Sequence, residues 1–495
     1  MSNPTIAAII QTSCREKGDA VFVADENHAL TGIELWRHIV TVAGNFENQG
    51  LVKGDVAAFY CGSSVPHSVT FFACLVSGII PCCLHVRETA RRNRQNMINL
   101  KAKKIFADPE LIANAADLIE GDNVISLSVQ GAPDMDATLN VTLTSDDPAL
   151  ILISSGTTGV PKFISHSQKT LAATAQYGPY SYDCWSDDDS TVVVMAPSFA
   201  AWIHTVLPFI FIKGRVVFRS NFEPTDFLQI LASENITLAP LVPTVWRMVM
   251  VADPELYDLS HLKTAFYSGE PGSTGLVEDL QSKICPNVMT SYLASEGGCA
   301  SGVIAGPDIL SIKALASSTG LPVEGAEMRI VNPEGAIDDE LPAGEVGEIV
   351  LKSNSISTGY LDDADLNSEK FQAGWWRSGD LGALNADGLL FVKGRLDNRI
   401  NTGGIKVFAE EIEAALLQHP NVQFAAVIGV PDEKWGERIE AHLVAKDALP
   451  KLEALRKFCL DNDLLPSSQL PKEVFYHDTL PTGPTGKLYR RGLTE

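Results

Sequence analysis

A run of hydroxyl residues and glycines closes with a lysine between Ser154 and Lys162, directly behind the apolar run Ala149 to Ile153. Glycine lets the backbone approach a ligand closely, hydroxyls and main-chain N–H groups donate to phosphate oxygens, and the lysine adds positive charge. The run therefore favours a phosphate-binding loop after a buried strand, although an ordinary turn fits so short a match equally well. It is not a Walker loop, because Pro161 precedes the lysine and a strand-like segment follows it.

The composition limits the partners that such a site could have. The chain has 495 residues, 45% of them hydrophobic and 20% charged, and a formal net charge of −23. This length predicts two or more domains, and the negative charge opposes binding to nucleic acid or an anionic membrane. The longest apolar stretch, Val192 to Ile212, is interrupted by Pro197, His204 and Pro208, so we predict no membrane insertion.

Cysteine usage and the N-terminus indicate where the protein works. The nine cysteines are scattered without a C-x-x-C pair, which favours reduced, buried thiols over a zinc site. The first residues lack the basic start and apolar core of a signal peptide. We therefore predict a cytoplasmic protein.

Helix-like and strand-like segments alternate through most of the chain, which predicts an α/β fold with a mostly parallel sheet. Predicted strands in this part include Val56 to Tyr60, Arg215 to Phe218 and Thr264 to Ser268. Beyond about Gly320, short strands around Gly/Pro turns predict a small barrel-like β module. After Asn398 the pattern predicts a separate small α+β set, with a boundary near Gly394 to Asn398.

Five later segments carry further candidate chemistry, and they follow the loop in a fixed order. They are Tyr267 to Gly272, Tyr292 to Gly298, Gly374 to Gly382 with Phe391 to Asp397, Ile400 to Val407, and Leu480 to Leu488. Each alone could be a surface turn or a solvated charge. Together with the loop they resemble the adenylate-forming superfamily, which includes acyl-CoA synthetases, aryl-acid adenylating enzymes, luciferases and peptide-synthetase adenylation domains.

This resemblance implies an architecture. It implies a large N-terminal adenylation domain at residues 1–394, built of parallel α/β subdomains and a small barrel-like β subdomain. A hinge at 395–398 and a mobile small α+β C-terminal domain at 399–495 would follow, with Asp397 as the hinge residue.

The resemblance also implies a set of residues around ATP and Mg²⁺. The phosphate loop would contribute Ser154, Ser155, Gly156, Thr157, Thr158, Gly159 and Lys162, with Thr157 among the catalytic residues. Gly269, Glu270 and Pro271 would border the adenine, Tyr292 would stack on it, Ser295 would meet the α-phosphate, and Glu296 would hold the magnesium ion. Asp380 would bind the ribose, and Arg395 the ribose or phosphate. Leu293 and Ser295 depart from the family pattern, which has Gly and Thr there.

Lys487 is the residue that the resemblance assigns to the first half-reaction, where its ammonium would bridge the substrate carboxylate and the α-phosphate. Gly403, Gly404 and Trp435 would line a tunnel for the incoming thiol. An arginine cluster at Arg87, Arg91, Arg92 and Arg94 could meet the phosphates of coenzyme A, or be a solvated helix face. Trp202 and His204 could line the acyl pocket, or be interior residues of an apolar helix.

The predicted activity is an ATP-dependent, AMP-forming ligation of a carboxylic acid to coenzyme A, with an aryl acid or an acid of medium size as the expected substrate. The alternative is a stand-alone adenylating enzyme that passes the acyl group to a carrier-protein pantetheine thiol or to an amine. A non-catalytic nucleotide-binding relative would share the ATP site alone.

Overall fold

The structure is a computed structural model that describes residues 4–129, 139, 141–154, 161–270, 272–446, 448–481 and 488–493. For residues 299–303 and Arg491 it describes the backbone alone. By internal packing the chain divides into two compact units. The first holds Met1–Met328 and Leu351–Trp376, and the second holds Arg329–Val350 and Arg377–Glu495. The predicted hinge lies within the second unit, and the predicted domain limits remain a prediction.

Fourteen α-helices are described. They are α1 (Ile6–Lys17), α2 (Gly32–Gly44), α3 (Val65–Ser77), α4 (Ala90–Leu100), α5 (Ile112–Ala116), α6 (Gln168–Tyr182), α7 (Ala200–Ile212), α8 (Pro224–Ser233), α9 (Pro243–Met250), α10 (Thr274–Lys283), α11 (Pro307–Leu310), α12 (Ala364–Lys370), α13 (Ala409–Leu416) and α14 (Leu452–Asp461). Their starts follow local chemistry: at α2, the Thr31 side chain accepts from the Glu34 N–H while the Glu34 carboxylate accepts from the Thr31 N–H.

All but one of the strands that lie wholly in the first unit form three sheets. They are β1 (Val21–Ala24), β2 (Ala29–Thr31), β3 (Val56–Tyr60), β4 (Ile80–Cys83), β5 (Lys104–Ala107), β6 (Val124–Ser126), β7 (Pro148–Ser154), β8 (Lys162–Ser167), β9 (Ser190–Val193), β10 (Arg215–Phe218), β11 (Leu238–Leu241), β12 (Thr264–Ser268), β13 (Val288–Ala294), β14 (Gly298–Ala305) and β15 (Leu321–Pro322), followed later by β18 (Gly359–Tyr360). The largest sheet has the order β15-β14-β13-β12-β11-β9-β10-β1-β2.

The six strands from β13 to β1 in that order are parallel, and antiparallel strands flank them. A second, parallel sheet has the order β4-β3-β5-β6, and a small antiparallel sheet has the order β18-β8-β7. Every residue of β9 and β11 is buried, as expected of parallel strands covered on both faces. These observations confirm the predicted α/β class.

The remaining strands lie wholly or mostly in the second unit, except the short β19, which lies in the first. They are β16 (Glu327–Val331), β17 (Gly347–Lys352), β19 (Phe371–Gln372), β20 (Trp375–Leu384), β21 (Leu390–Arg395), β22 (Arg399–Thr402), β23 (Ile405–Phe408), β24 (Val422–Asp432), β25 (Gly436–Ala445) and β26 (Glu473–Tyr476). Strands β16, β17, β20 and β21 belong to one sheet, in which the short β19 pairs with β20 inside the first unit. The other sheet has the order β23-β22-β25-β24, and β26 pairs with β25. Helices α13 and α14 contribute to the apolar core beside it.

Candidate nucleotide and acyl-transfer site

The predicted phosphate loop joins two strands of a hairpin. Ser154 at the end of β7 pairs in register with Lys162 at the start of β8, so both flanks of the loop are held by strand hydrogen bonds. The loop residues Ser155, Gly156, Thr157, Thr158 and Gly159 lie outside the described residues. The Lys162 ammonium lies 5.4 Å from the centroid of the Tyr360 ring, within the range of a cation–π contact.

Glu296 sits in a short turn between the antiparallel strands β13 and β14. Ala294 pairs with Gly298 across this turn, and the Gly297 N–H donates to the Ala294 carbonyl over 3.1 Å. The Tyr360 hydroxyl donates to Glu296 Oε1 over 3.0 Å, and the Ser357 N–H donates to the Glu296 carbonyl over 2.7 Å. The carboxylate is thus held from the segment that carries β18.

A buried histidine joins this turn to the loop hairpin. His166 lies on β8, and its Nε2 is 2.8 Å from the Ser295 carbonyl oxygen. Burial lowers the pKa of His166 to about 4, so the ring is neutral at pH 7 and its Nε2–H donates to that carbonyl. Sequence reasoning missed this residue, since a histidine inside an apolar strand carries no local sign of a distant partner.

The segment predicted to border the adenine follows β12. Gly269 has a φ of +82°, which suits glycine, and the Glu270 carboxylate accepts from both the N–H and the hydroxyl of Thr244, over 3.2 and 2.7 Å. Glu270 therefore caps the start of α9, where a carboxylate satisfies exposed N–H groups. Pro271 lies outside the described residues.

Parallel pairing brings these two predicted segments together. Ser268 at the end of β12 lies opposite Ser291 of β13, so Gly269 and Glu270 leave the same sheet edge as the turn that carries Ser295 and Glu296. Ligands of open α/β sheets bind at the carboxyl edge of the strands. The Tyr292 side chain, also on β13, is 8% exposed.

The two residues predicted for the acyl pocket lie inside α7. Trp202 is fully buried, donates from Nε1 to Ser63 Oγ over 2.7 Å and packs against the rings of His67 and Phe218. His204 is 4% exposed, and burial lowers its pKa to about 3. Trp202 is therefore an interior residue of an apolar helix, which was the second of the two alternatives. A role of Trp202 or His204 in binding the acid remains a prediction.

Asp380 and Arg395 lie opposite each other on β20 and β21 in the second unit. Arg395 Nη1 is 2.7 Å from Asp380 Oδ1. The backbone before Asp380 is held by Glu348, whose Oε1 accepts from the Gly379 N–H over 3.0 Å and whose Oε2 is 2.5 Å from Arg377 Nη1. A buried ion pair therefore holds the backbone next to the predicted ribose carboxylate.

The predicted hinge contacts the helix that follows it. Asp397 is exposed, and the neighbouring Asn398 donates from Nδ2 to Glu410 Oε1 over 2.6 Å. At Gly394, which has a φ of +155°, a Cβ atom would collide with Glu410 Oε2. The backbone conformation favours glycine here, and the end of the Glu410 side chain would have to shift to admit any other residue.

The glycine pair predicted to line the thiol tunnel forms a tight turn that contacts Trp435. Gly403 and Gly404 have φ values of +58° and +83°, and the Gly403 N–H donates to the Trp435 carbonyl over 2.7 Å. The ammonium groups of Lys434 and Lys472 each lie 4.8 Å from the Trp435 ring. An exposed glycine turn, an indole and two cations therefore share one surface of the second unit.

Lys487 lies outside the described residues, but the chain just after it is anchored. Arg490 Nη2 lies 2.8 and 2.7 Å from the two carboxylate oxygens of Glu413 on α13, and 3.4 Å from Glu410 Oε1. The Val427 N–H donates to Glu413 Oε1 over 2.7 Å. One guanidinium nitrogen thus contacts both oxygens of a single carboxylate, and such charge-assisted contacts are stronger than those between neutral groups.

Part of the predicted arginine cluster lines a cavity of the first unit. The cavity has a volume of about 330 Å³ and is lined by Thr89, Arg91, Arg92, Gln95, Asn96, Asn99 and Pro161. Arg94 instead donates from Nε to the Asp117 carbonyl over 2.5 Å.

Within the described parts of the chain, no group of three or more His, Cys, Asp or Glu side chains is placed to hold a metal ion. No described helix is long and apolar enough to cross a membrane. The eight cysteines whose side chains are described are all buried, and none of them forms a disulfide.

Comparison with known proteins gives matches along nearly the whole chain. A 2-succinylbenzoate–CoA ligase of Bacillus licheniformis is 28% identical over 481 residues, which is 96% of each chain. A feruloyl-CoA synthase of an Amycolatopsis species is 29% identical over 478 residues, which is 93% of each.

Solved structures show the same fold. The o-succinylbenzoate CoA synthetase of Bacillus subtilis, solved with its acyl-adenylate intermediate, superposes with a TM-score of 0.89 at 22% identity, covering 100% of this chain and 98% of that one. The amide bond synthetase of Marinactinospora thermotolerans also gives a TM-score of 0.89, at 23% identity, and covers 99% of both chains.

Two family models match this sequence in the order of the two predicted domains. The model described as "AMP-binding enzyme" matches residues 10–361, and the model described as "AMP-binding enzyme C-terminal domain" matches residues 411–487. The chain therefore belongs to the family of AMP-binding enzymes.

Proposed function

We propose that this protein is an AMP-forming acid–CoA ligase. One observation carries the proposal: Lys162, at the end of the phosphate loop, and the carboxylate of Glu296 both contact the side chain of Tyr360. A magnesium–nucleotide complex is suited by this pair, because the cation can bind phosphate and the carboxylate can bind the metal ion. The relatives named CoA ligases support the same activity.

The residues at this edge suit ATP and Mg²⁺ by their donor chemistry. Glu296 offers one hard carboxylate, which is enough for a magnesium ion that takes its other ligands from water and substrate phosphates. When bound, Mg²⁺ would neutralise charge on the phosphates. In our proposal the loop residues and Lys162 bind the pyrophosphate, Gly269 and Tyr292 contact the adenine, and Ser295 contacts the α-phosphate.

The first proposed step forms an acyl-adenylate. A carboxylate oxygen of the acid attacks the α-phosphorus of ATP, the bond to the β-phosphate oxygen breaks, and pyrophosphate leaves. Lys487 would stabilise the negative charge that builds between the two reactants, while Asp380 would bind the ribose. No protein nucleophile is needed, since orientation and charge stabilisation carry such a reaction.

The second proposed step transfers the acyl group to coenzyme A. The thiolate sulfur attacks the acyl carbon, the carbon–oxygen bond to the phosphate breaks, and AMP leaves. The thiol's path would be lined by Gly403, Gly404 and Trp435. Arg395 would stay bound to the ribose or phosphate of the nucleotide. We propose that the small domain at 399–495 turns about Asp397 between the steps, because short polar residues at element ends can absorb such a change.

The acceptor and the acid are the finer parts of the proposal. The relatives' names favour coenzyme A, while the structural neighbour named an amide bond synthetase keeps an amine acceptor as the second candidate. A carrier-protein thiol would use the same pantetheine path. Since 2-succinylbenzoate and ferulate are aromatic acids, we propose an aromatic acid of compact size as substrate, and a cytoplasmic location where ATP and coenzyme A are present.

The test separates the two steps. Acid-dependent ATP–pyrophosphate exchange over a panel of aryl and alkyl acids measures adenylation, and AMP release on adding coenzyme A or an amine measures transfer. We expect exchange with an aryl acid, AMP release with coenzyme A, and a loss of exchange of at least about a hundredfold in Lys487→Ala. Lys101→Ala, an exposed lysine paired with Asp362, is the matched control.

Two results would contradict the proposal. A folded protein that exchanges with no acid of the panel would not be an adenylating ligase. Exchange followed by AMP release with an amine, but not with coenzyme A, would replace the thiol acceptor by the amine one.

A further inference from the structure

Tyr360 is the shared contact of the loop lysine and the proposed magnesium ligand. Its hydroxyl donates to Glu296 Oε1 over 3.0 Å, and Lys162 Nζ lies 5.4 Å from its ring centroid. The side chain is only 6% exposed. Tyr360 therefore touches both charged groups from inside the protein.

The backbone of Tyr360 is fixed by two different elements. On one side Tyr360 pairs with Ile164 of β8, the strand that begins at Lys162. On the other, Asn367 of α12 accepts from the Tyr360 N–H over 2.6 Å and donates from Nδ2 to its carbonyl over 2.8 Å. The Asn367 amide thus takes the place of a neighbouring strand.

A glycine makes that approach possible. Gly359 has a φ of +132°, and a Cβ atom there would lie 2.6 Å from Asn367 Oδ1. The ring of Phe371 packs edge-on against the Tyr360 ring, with 5.7 Å between centroids. Backbone and ring are both held, so the phenol oxygen has a defined position.

A phenol suits a carboxylate that must still bind a cation. Its O–H fixes the orientation of the carboxylate and brings no charge of its own. An arginine or lysine in the same place would neutralise the carboxylate and compete with a metal ion. The hydrogen bond restricts the carboxylate to one orientation before any ligand arrives, which reduces the cost of binding.

We propose that Tyr360 is a positioning residue that orients Glu296 toward the metal of the nucleotide complex and ties it to the loop strand. This inference rests on the proposed function, because it takes Glu296 as the magnesium ligand. It adds a residue that acts through Glu296 and does not itself touch the reacting atoms.

Direct binding tests the proposal without turnover. Mn²⁺, in place of Mg²⁺, is titrated by electron paramagnetic resonance into the full-length protein with a non-hydrolysable α,β-methylene analogue of ATP. We expect Tyr360→Phe to weaken metal binding about tenfold, since a hydrogen bond to a charged group is lost. Asn367→Ala keeps the phenol but frees its backbone, and it should weaken binding in the same direction by less.

A double-mutant cycle shows whether Tyr360 acts through Glu296. Glu296→Gln should weaken metal binding strongly, and adding Tyr360→Phe to it should change binding by less than about twofold. The matched control is Tyr180→Phe, which removes the hydroxyl of an exposed tyrosine packed on Trp185 and should leave binding as in the wild type.

The outcomes separate this inference from the proposed function. Unchanged metal binding in folded Tyr360→Phe, or equal losses in the wild-type and Glu296→Gln backgrounds, would overturn the positioning role. Wild-type protein that binds the metal–nucleotide complex but shows no acid-dependent exchange would refute the ligase function and leave the role of Tyr360 supported or refuted by the titration alone.

Discussion

Replacing Arg490 by methionine should make the local stability of the second unit depend on pH above neutrality. Arg490 Nη2 lies 2.8 and 2.7 Å from the two carboxylate oxygens of Glu413. Burial raises the pKa of Glu413 from 4.5 to about 7, and Arg490 opposes that rise. This carboxyl group therefore gains or loses its proton near neutral pH while it is in contact with the arginine.

The size of the effect follows from proton linkage. The folded pKa of Glu413 is raised, so its contribution to stability is fully present below the unfolded pKa of 4.5 and is lost as pH rises through about 7. Between these values the free energy of unfolding falls by about 1.4 kcal/mol per pH unit, and above them this contribution is constant. Without Arg490 the folded pKa is higher still, so in the variant the fall should continue between pH 7 and 8.

Amide hydrogen exchange of β24 measures this change, because the Val427 N–H in that strand donates to Glu413. The ratio of exchange rates between Arg490→Met and wild type at one pH cancels the intrinsic pH dependence of exchange. We expect this ratio to grow up to about tenfold from pH 7 to pH 8, the equivalent of about 1.4 kcal/mol. Lys457→Met, which removes an exposed ion pair with Asp461, is the control and should give a ratio independent of pH.

Two results would refute this reasoning. A ratio that stays constant from pH 6 to pH 8 would mean that Glu413 does not take up a proton when Arg490 is absent. A pH-dependent ratio that persists when Glu413→Gln is added to Arg490→Met would assign the titration to another group.

Three further substitutions test the support beneath the site. Glu348→Gln should lower the free energy of unfolding by about 3–5 kcal/mol in urea denaturation, because it leaves Arg377 charged and buried, while Glu348→Met with Arg377→Met should recover most of the loss. Gly298→Ala should lower the free energy of unfolding by about 1 kcal/mol or more in the same assay, since φ is +63° and the new Cβ would lie 2.5 Å from Thr174 Oγ1. Adding Thr174→Ala should restore part of that loss, and an unchanged stability of Gly298→Ala would contradict the steric conflict expected at this turn. Trp202→Phe should lower the melting temperature through lost packing, and an unchanged KM for the acid would assign this residue to the core alone.

Much of the fold could be predicted from the sequence because its signals are local. The strands predicted at Val56 to Tyr60, Arg215 to Phe218 and Thr264 to Ser268 are confirmed with the same bounds. Short apolar runs between turn residues identify such strands without knowledge of their neighbours. The order of the motifs also indicated the family, which the family models confirm.

The candidate site was predictable as a set of segments and not as a set of contacts. Gly269 and Glu296 stand out through their motifs, yet nothing in the sequence tells which residue holds the Glu296 carboxylate. Tyr360 lies 64 residues away from it along the chain. Such partners are chosen by strand pairing, and pairing between distant segments is encoded in the whole fold.

The sequence by itself determined the α/β class, several strands, the order of the motifs and the family, because each depends on residue type and short spacing. Only the tertiary structure decided that His166 holds the Ser295 turn 129 residues away, that Tyr360 orients Glu296, and that Arg490 is fixed by Glu413. The physical reason is that a hydrogen bond between remote residues needs both backbones placed to within an ångström or less. That placement comes from the packing of complete sheets and helices, which no short stretch of sequence contains.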